Sequence, residues 1–217
     1  MRYCHILIAF LAFSCLSCVS TKVVSEFGIL QLQPHETVLV VPSASLSSER
    51  SDALYTYSEE RFGPGCTSLL YFPAVEYDLL AAGIEAERLQ ARPLSKETMA
   101  KVKEVLHADY LLYPELLYHR EAGHFSTYTA TELAQNPRLQ QGEDRHEVRL
   151  LFRMYDLTGQ DPVYELSLRT EISPLIINEE EGETRVNISD SGFALSKAYD
   201  KGMKQIASLR MTDQCLH

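Results

Sequence analysis

The segment from Leu94 to Glu121 (LSKETMAKVKEVLHADYLLYPELLYHRE) narrows the fold more than any other. Ser95 stands where a helix N-cap belongs, and Leu94 and Met99 occupy the two positions of a hydrophobic staple. Met99, Val102 and Leu106 recur at helical spacing, with Lys96, Lys103 and Glu104 left for water. After His107 and Ala108 the period breaks. Tyr110, Leu111, Leu112 and Tyr113 run on without a polar position, and a strand with no polar face is a central one, covered on both sides. The pattern predicts a helix delivered directly into the central strand of a layered α/β domain. Pro114 cannot donate to a ladder, so a bulge or strand end is expected near it.

Upstream, Thr37 to Val41 (TVLVV), closed by Pro42, predicts a first buried strand. Ser43 to Ser51 is Ser-rich and reads as a loop. Asp52 to Phe62 scatters Leu54, Tyr55, Tyr57 and Phe62 among charges, and helix and irregular structure both stay open there. Gly63-Pro64-Gly65 is a turn. Pro73 fits the first turn of a helix through Ala82, and Ile84 to Gln90 reads as a short strand closed by Pro93. Downstream, residues 122–145 are polar and aperiodic, the pattern of a long functional or mobile loop. Val148, Leu150, Phe152 and Met154 then alternate with Glu147, Arg149 and Arg153. After a turn at Asp156 to Gln160, Tyr164, Leu166, Leu168 and Ile172 alternate with Glu165, Ser167, Arg169 and Glu171. That is a β-hairpin with one buried and one wetter face. Residues 178–187 read as an acidic loop. Ser189-Asp190-Ser191 cap a closing helix to about Leu209, with Leu195, Ala198, Tyr199, Met203 and Ile206 on its inner stripe.

These elements predict an α/β sandwich of two or three layers. Its mixed sheet has about five strands, a βαβαβ run followed by an antiparallel hairpin, with a C-terminal helix packed on it. The chain has 217 residues, 45% of them hydrophobic and 23% charged, enough for one good core. A formal net charge of -10 with no basic stripe excludes a nucleic-acid partner.

The first residues are of another material. A short basic start precedes Ile6 to Phe13 (ILIAFLAF), an apolar run too short to span a bilayer. Ser14-Cys15-Leu16-Ser17-Cys18 follows, and small residues before a cysteine resemble a bacterial lipoprotein signal. In that family the cysteine is acylated, palmitate among the chains attached, and anchors the protein. Leu16-Ser17-Cys18 points to Cys18, and Ala12-Phe13-Ser14 makes Cys15 the rival. A plain secretory signal and a buried N-terminal strand are the other readings. The organisation expected is a signal peptide over 1–17, a lipidated start and tether over 18–36, a single α/β domain over 37–210 and a tail over 211–217. The location expected is the cell envelope, periplasm-facing, at the outer membrane in preference to the inner. An oxidising compartment permits a disulfide between Cys66 and Cys215, with two separate thiols as the alternative.

Four landmarks carry a resemblance: VLVVP, the helix entering HADYLLYPEL, the hairpin VRLLFRMYDLTGQDPVYE, and the closing ALSKAYDKGMKQIA. Over Thr37 to Leu209 the chain resembles the periplasmic fold shared by the curli-secretion lipoprotein CsgG, the penicillin-binding-protein activator LpoB and the amino-terminal domain of TolB. The recurrent motifs of that group match Ala108-Asp109-Tyr110 and Tyr155-Asp156-Leu157-Thr158-Gly159. The long amphipathic hairpins of pore-forming members have no counterpart here. The resemblance implies a non-enzymatic envelope lipoprotein that works through contact with another protein.

The residues themselves point to no catalytic, metal or cofactor site. His119, His124 and His146 lack diagnostic metal spacing and read as solvated loop histidines. Asp190-Ser191 reads as a helix cap, and Glu179-Glu180-Glu181 as a solvated acidic loop. Tyrosine is abundant, 12 residues with no Trp, and suits interfaces because it buries area while keeping a polar tip. The candidate protein contacts are Phe125, Tyr128 and Arg138, in the one loop that combines aromatics with both charge signs. Two functions follow. One is a lipid-anchored protein-interaction module, an accessory to envelope assembly or secretion. The other is a periplasmic binding protein for a small ligand, or an envelope enzyme.

Overall fold

Asp109 shows why the central unit forms. In the computed structural model, which describes residues 19–62, 67–136 and 144–211, its carboxylate accepts from the Thr37 amide at 2.9 Å and from Lys103 Nζ at 2.6 Å. Its backbone amide donates to Thr37 O and its carbonyl accepts from the Leu157 amide. One side chain thus ties a helix end, the start of one strand and the start of the next. Those elements are β2 (Thr37–Val40), α4 (Lys96–Leu106) and β4 (Tyr110–Arg120). The helix begins as its sequence dictates: Ser95 Oγ accepts from the Thr98 amide at 3.1 Å, and Leu94 and Met99 are both buried. It ends at His107, which takes the left-handed conformation at φ 52°.

The remaining strands are β1 (Val19–Gly28), β3 (Ser68–Tyr71), β5 (Phe125–Thr129), β6 (His146–Asp156), β7 (Asp161–Ile172), β8 (Leu175–Glu179) and β9 (Gly182–Val186). The other helices are α1 (Ser48–Phe62), α2 (Phe72–Ala81), α3 (Ala86–Gln90), α5 (Ala130–Gln135) and α6 (Ser191–Ala207). Six strands form one mixed sheet in the order β1-β7-β6-β4-β2-β3, and three form a second in the order β5-β9-β8. β2 runs parallel to β3 and β4, with Val38 opposite Leu69 and Tyr110. The central strand lies between β2 and β6, and Leu111 and Leu112 are fully buried. The C-terminal helix α6 packs on the sheet, starting where the Asp190 carboxylate accepts from the Phe193 amide at 2.8 Å. No described helix is long and apolar enough to cross a membrane.

The described chain groups into two compact units. The larger comprises Val23–Leu117, Leu150–Leu168 and Tyr199–His217 as far as they are described. Its main core joins Leu39, Leu111 and Tyr155 of the sheet to Phe72, Leu79, Leu89, Met99 and Val102 of α2, α3 and α4. Alternation sends Leu112 and Phe152 to the opposite face, where Phe152 meets Tyr199 of α6 at 5.4 Å between ring centroids. Tyr199 OH in turn lies 3.0 Å from Ser58 Oγ of α1. Helices therefore cover both faces of the sheet in this unit. The smaller unit comprises Met1–Lys22, Tyr118–Arg149 and Arg169–Ala198 as far as they are described, and holds the whole three-stranded sheet.

Several expectations are corrected. The second strand is Ser68–Tyr71, and Ile84 to Gln90, expected as a strand, contains the short helix α3. Residues 19–28, expected as tether, form the edge strand β1, held where Tyr164 OH donates to Glu26 at 2.6 Å. Asp52 to Phe62 is helical, and the helix reaches back to Ser48. β4 continues through Pro114 to Arg120. Leu112 O accepts from the Val41 amide, so Pro114, two residues on, turns its missing donor to the same side. β2 has already ended there at Val40, and no ladder bond is lost.

Candidate interaction surface

The polar stretches at 122–145 and 178–187, expected as loops, contribute β5, α5, β9 and part of β8. Thr129 caps α5 through a capping box with Glu132. β9 pairs antiparallel with both neighbours, so Phe125, Val186 and Leu175 stand in one row across the three strands. The next row on that face is Thr127, Thr184 and Ile177. Phe125 is 67% exposed, Leu175 45% and Ile177 47%. Every residue of β8 is exposed, and it forms an outer edge of its sheet. An apolar row beside an open hydrogen-bonding edge is the surface on which another chain can add.

The opposite face is more polar, built on Arg185 and its partners, with Ile176 exposed at its edge. Arg185 pairs with Asp144 at 2.6 Å and with Glu183, and lies 5.4 Å from the centre of the Tyr128 ring. Phe125 and Tyr128, three residues apart on one strand, thus project from opposite faces. Phe125 stands in the exposed apolar row, while Tyr128 is half-buried against an arginine. Arg138, Cys15, Cys18, Cys66 and Cys215 lie outside the described residues. Other described tyrosines have local partners. Tyr113 is buried, Tyr55 and Tyr71 stack at 4.1 Å, and Tyr118 lies 5.4 Å from Arg149.

Two polar clusters support this unit. Glu147, almost wholly buried, receives Arg149 at 2.7 Å, Arg169 at 2.9 Å and Arg120 at 3.4 Å. Burial pushes its carboxyl up, but the hydrogen bonds from Arg149 and Arg169 outweigh that and hold it below its ordinary range. Arg169 also reaches Glu171 at 2.5 Å. The second cluster corrects the reading of His146 as a solvated loop residue: it is fully buried at the start of β6. Its Nδ1 accepts from the Ala122 amide at 3.1 Å, which fixes the imidazole as the neutral Nε2–H form. Burial lowers its pKa. Asn187 closes the same corner, donating to Gly123 O at 2.6 Å and Asp144 O at 3.1 Å.

No protein-family model matches the chain, and no curated protein does. Among solved structures it is similar to the PelC dodecamer from Paraburkholderia phytofirmans, at 9% identity over 87% of this chain and 97% of that one, with a TM-score of 0.42. It is similar to lipoprotein GNA1162 from Neisseria meningitidis, at 16% identity over 80% and 99%, TM-score 0.43. It is also similar to the C-terminal domain of LpoB from Salmonella enterica, at 9% identity over 64% and 84%, TM-score 0.39.

Proposed function

We propose that this chain is a lipid-anchored, non-enzymatic protein of the bacterial cell envelope that binds another protein through its three-stranded sheet. The observation that carries the contact surface is the apolar row of Phe125, Val186 and Leu175, with Ile177 behind it, beside the open edge of β8. Burying such side chains against a partner contributes roughly 25 cal/mol per Å² of apolar area removed from water. The anchor rests on Leu16-Ser17-Cys18 after a short apolar run, and an accessory role in envelope assembly or secretion rests on the sequence resemblance. A second reading, a binder of small ligands, draws on a cleft beside Arg92.

The contact surface is tested by placing a photo-crosslinking amino acid singly at Phe125, Ile177 and, as an exposed control on α2, Tyr77 in cells carrying the full chain. Crosslinks to one common protein from Phe125 and Ile177, absent from Tyr77 and abolished by Leu175→Lys, are the expected outcome. Equal capture from all three positions would remove the sheet as the contact surface.

A further inference from the structure

The larger unit carries a cleft of about 450 Å³ that the protein-contact reading leaves unused. Pro93, Leu94, Met99, Tyr155 and Pro162 make its walls mainly apolar. Five charged side chains also reach it, and four of them are matched. Arg153 donates to Glu165 at 2.9 Å and to Glu115 at 2.5 Å, and Lys96 lies 4.0 Å from Asp161. Arg92 is the exception. Its Nη1 donates to the carbonyl of Leu89 at 3.0 Å and to that of Ala91, and its guanidinium lies 3.6 Å from the centre of the Tyr113 ring. Its Nε and Nη2 are buried and meet no acceptor among the described residues.

Those two nitrogens lie on one edge of the guanidinium, the edge that matches both oxygens of a carboxylate. One uncompensated positive charge beside apolar walls suits a monoanion with an apolar body. A dianionic phosphate would meet Glu165 and Asp161 as well. The volume lies in the range of small-ligand sites. We propose that this cleft binds a small amphipathic carboxylate, its oxygens on Nε and Nη2 of Arg92 and its body against Pro93, Leu94, Met99 and Pro162. Arg92 is half-buried and lines the cleft, and binding requires it to rotate about its own side-chain bonds, exchanging the Nη1 bonds to Leu89 and Ala91 for the two to the carboxylate. Burial already weighs against its charge, and a low local dielectric strengthens its attraction for an anion.

The test uses the full chain with ¹³C-methyl methionine, in which Met99 lines the cleft while Met154 and Met203 are fully buried in the core. It is titrated with N-acetyl-leucine, octanoate and the neutral N-acetyl-leucinamide. Both acids should shift the Met99 methyl saturably and leave Met154 in place. The amide, lacking only the charge, should bind roughly tenfold to a hundredfold more weakly. Arg92→Gln should weaken the acids by a similar factor. That variant also loses the stacking on Tyr113, so the comparison of acid with amide on the natural chain is decisive. Tighter N-acetyl-leucine points to a peptide C-terminus as the natural source, and tighter octanoate to an acyl chain. Equal binding of acid and amide, or no movement of Met99 up to about 10 mM of either acid, overturns the proposal.

Discussion

His146 gives this fold a pH dependence near neutrality. Its Nδ1 is committed as an acceptor, and burial lowers its pKa from 6.5, against the opposing pull of Glu121. The folded chain therefore resists a proton that the unfolded chain accepts. Stability should be full above pH 6.5, decline as pH falls below it, and level off once the folded imidazole is also protonated. Urea unfolding at pH 7.5, 6.5 and 5.5 should show a falling midpoint, and His146→Gln should flatten that slope. Glu147 acts lower and for the opposite reason. Its depressed pKa adds stability above about 4.5 that is lost as pH falls through the folded value. Neither residue was legible in the sequence, where His146 sits between Arg145 and Glu147 in a polar run. What buries it is the pairing of β6 and the return of residues 121–123 over it. The apolar residues were far easier to read. Leu112→Ala should cost about 2–5 kcal/mol in chemical denaturation, because the site is fully buried in a central strand.

At the scale of elements, legibility follows the strength of the apolar pattern. α4, the β6–β7 hairpin and α6 each carry an apolar face at one clean period, β4 carries an unbroken apolar run, and each forms where its pattern predicts. α1 was undecided because its buried positions are Ser51, Leu54, Ser58 and Phe62, a stripe half made of serine. Ser58 is satisfied by Tyr199, a partner 141 residues away that no local pattern reveals. The strands of the small sheet were missed because they are five residues long and largely open to solvent, so no alternation marks them. α3 is five residues, shorter than any period can register. Two substitutions probe the readable elements. Ser95→Ala should cost about 0.5–2 kcal/mol by removing the N-cap of α4. Gly202→Ala raises the helix propensity of α6, yet its new methyl would overlap the ring of Phe152, itself held against Tyr199. A gain of about 1 kcal/mol against overpacking of roughly 1–3 kcal/mol predicts a net loss, visible as a lower thermal midpoint.

For the whole molecule, the charge and the proposed anchor together set where it can work. A net charge of -10 works against adsorption of the body to anionic surfaces, so the proposed membrane attachment rests on the N-terminal acyl group alone. Mass spectrometry of the mature protein should find an acylated Cys18 as its first residue, and Cys18→Ala should abolish both acylation and partition into detergent. Retention of both would move the anchor to Cys15, and a natural chain without acylation would remove it. β1 then acquires a mechanical meaning. Its described part already includes Val19, one covalent step of about 3.8 Å along the chain from Cys18. A chain acylated there has no leash. The start of its sheet edge would then lie next to the lipid, which limits how far from the membrane the domain can meet a partner. Inserting twenty Gly/Ser residues between Cys18 and Val19 would add a root-mean-square reach of roughly 25 Å, enough to separate a partner held at the same membrane from one reached across the periplasm.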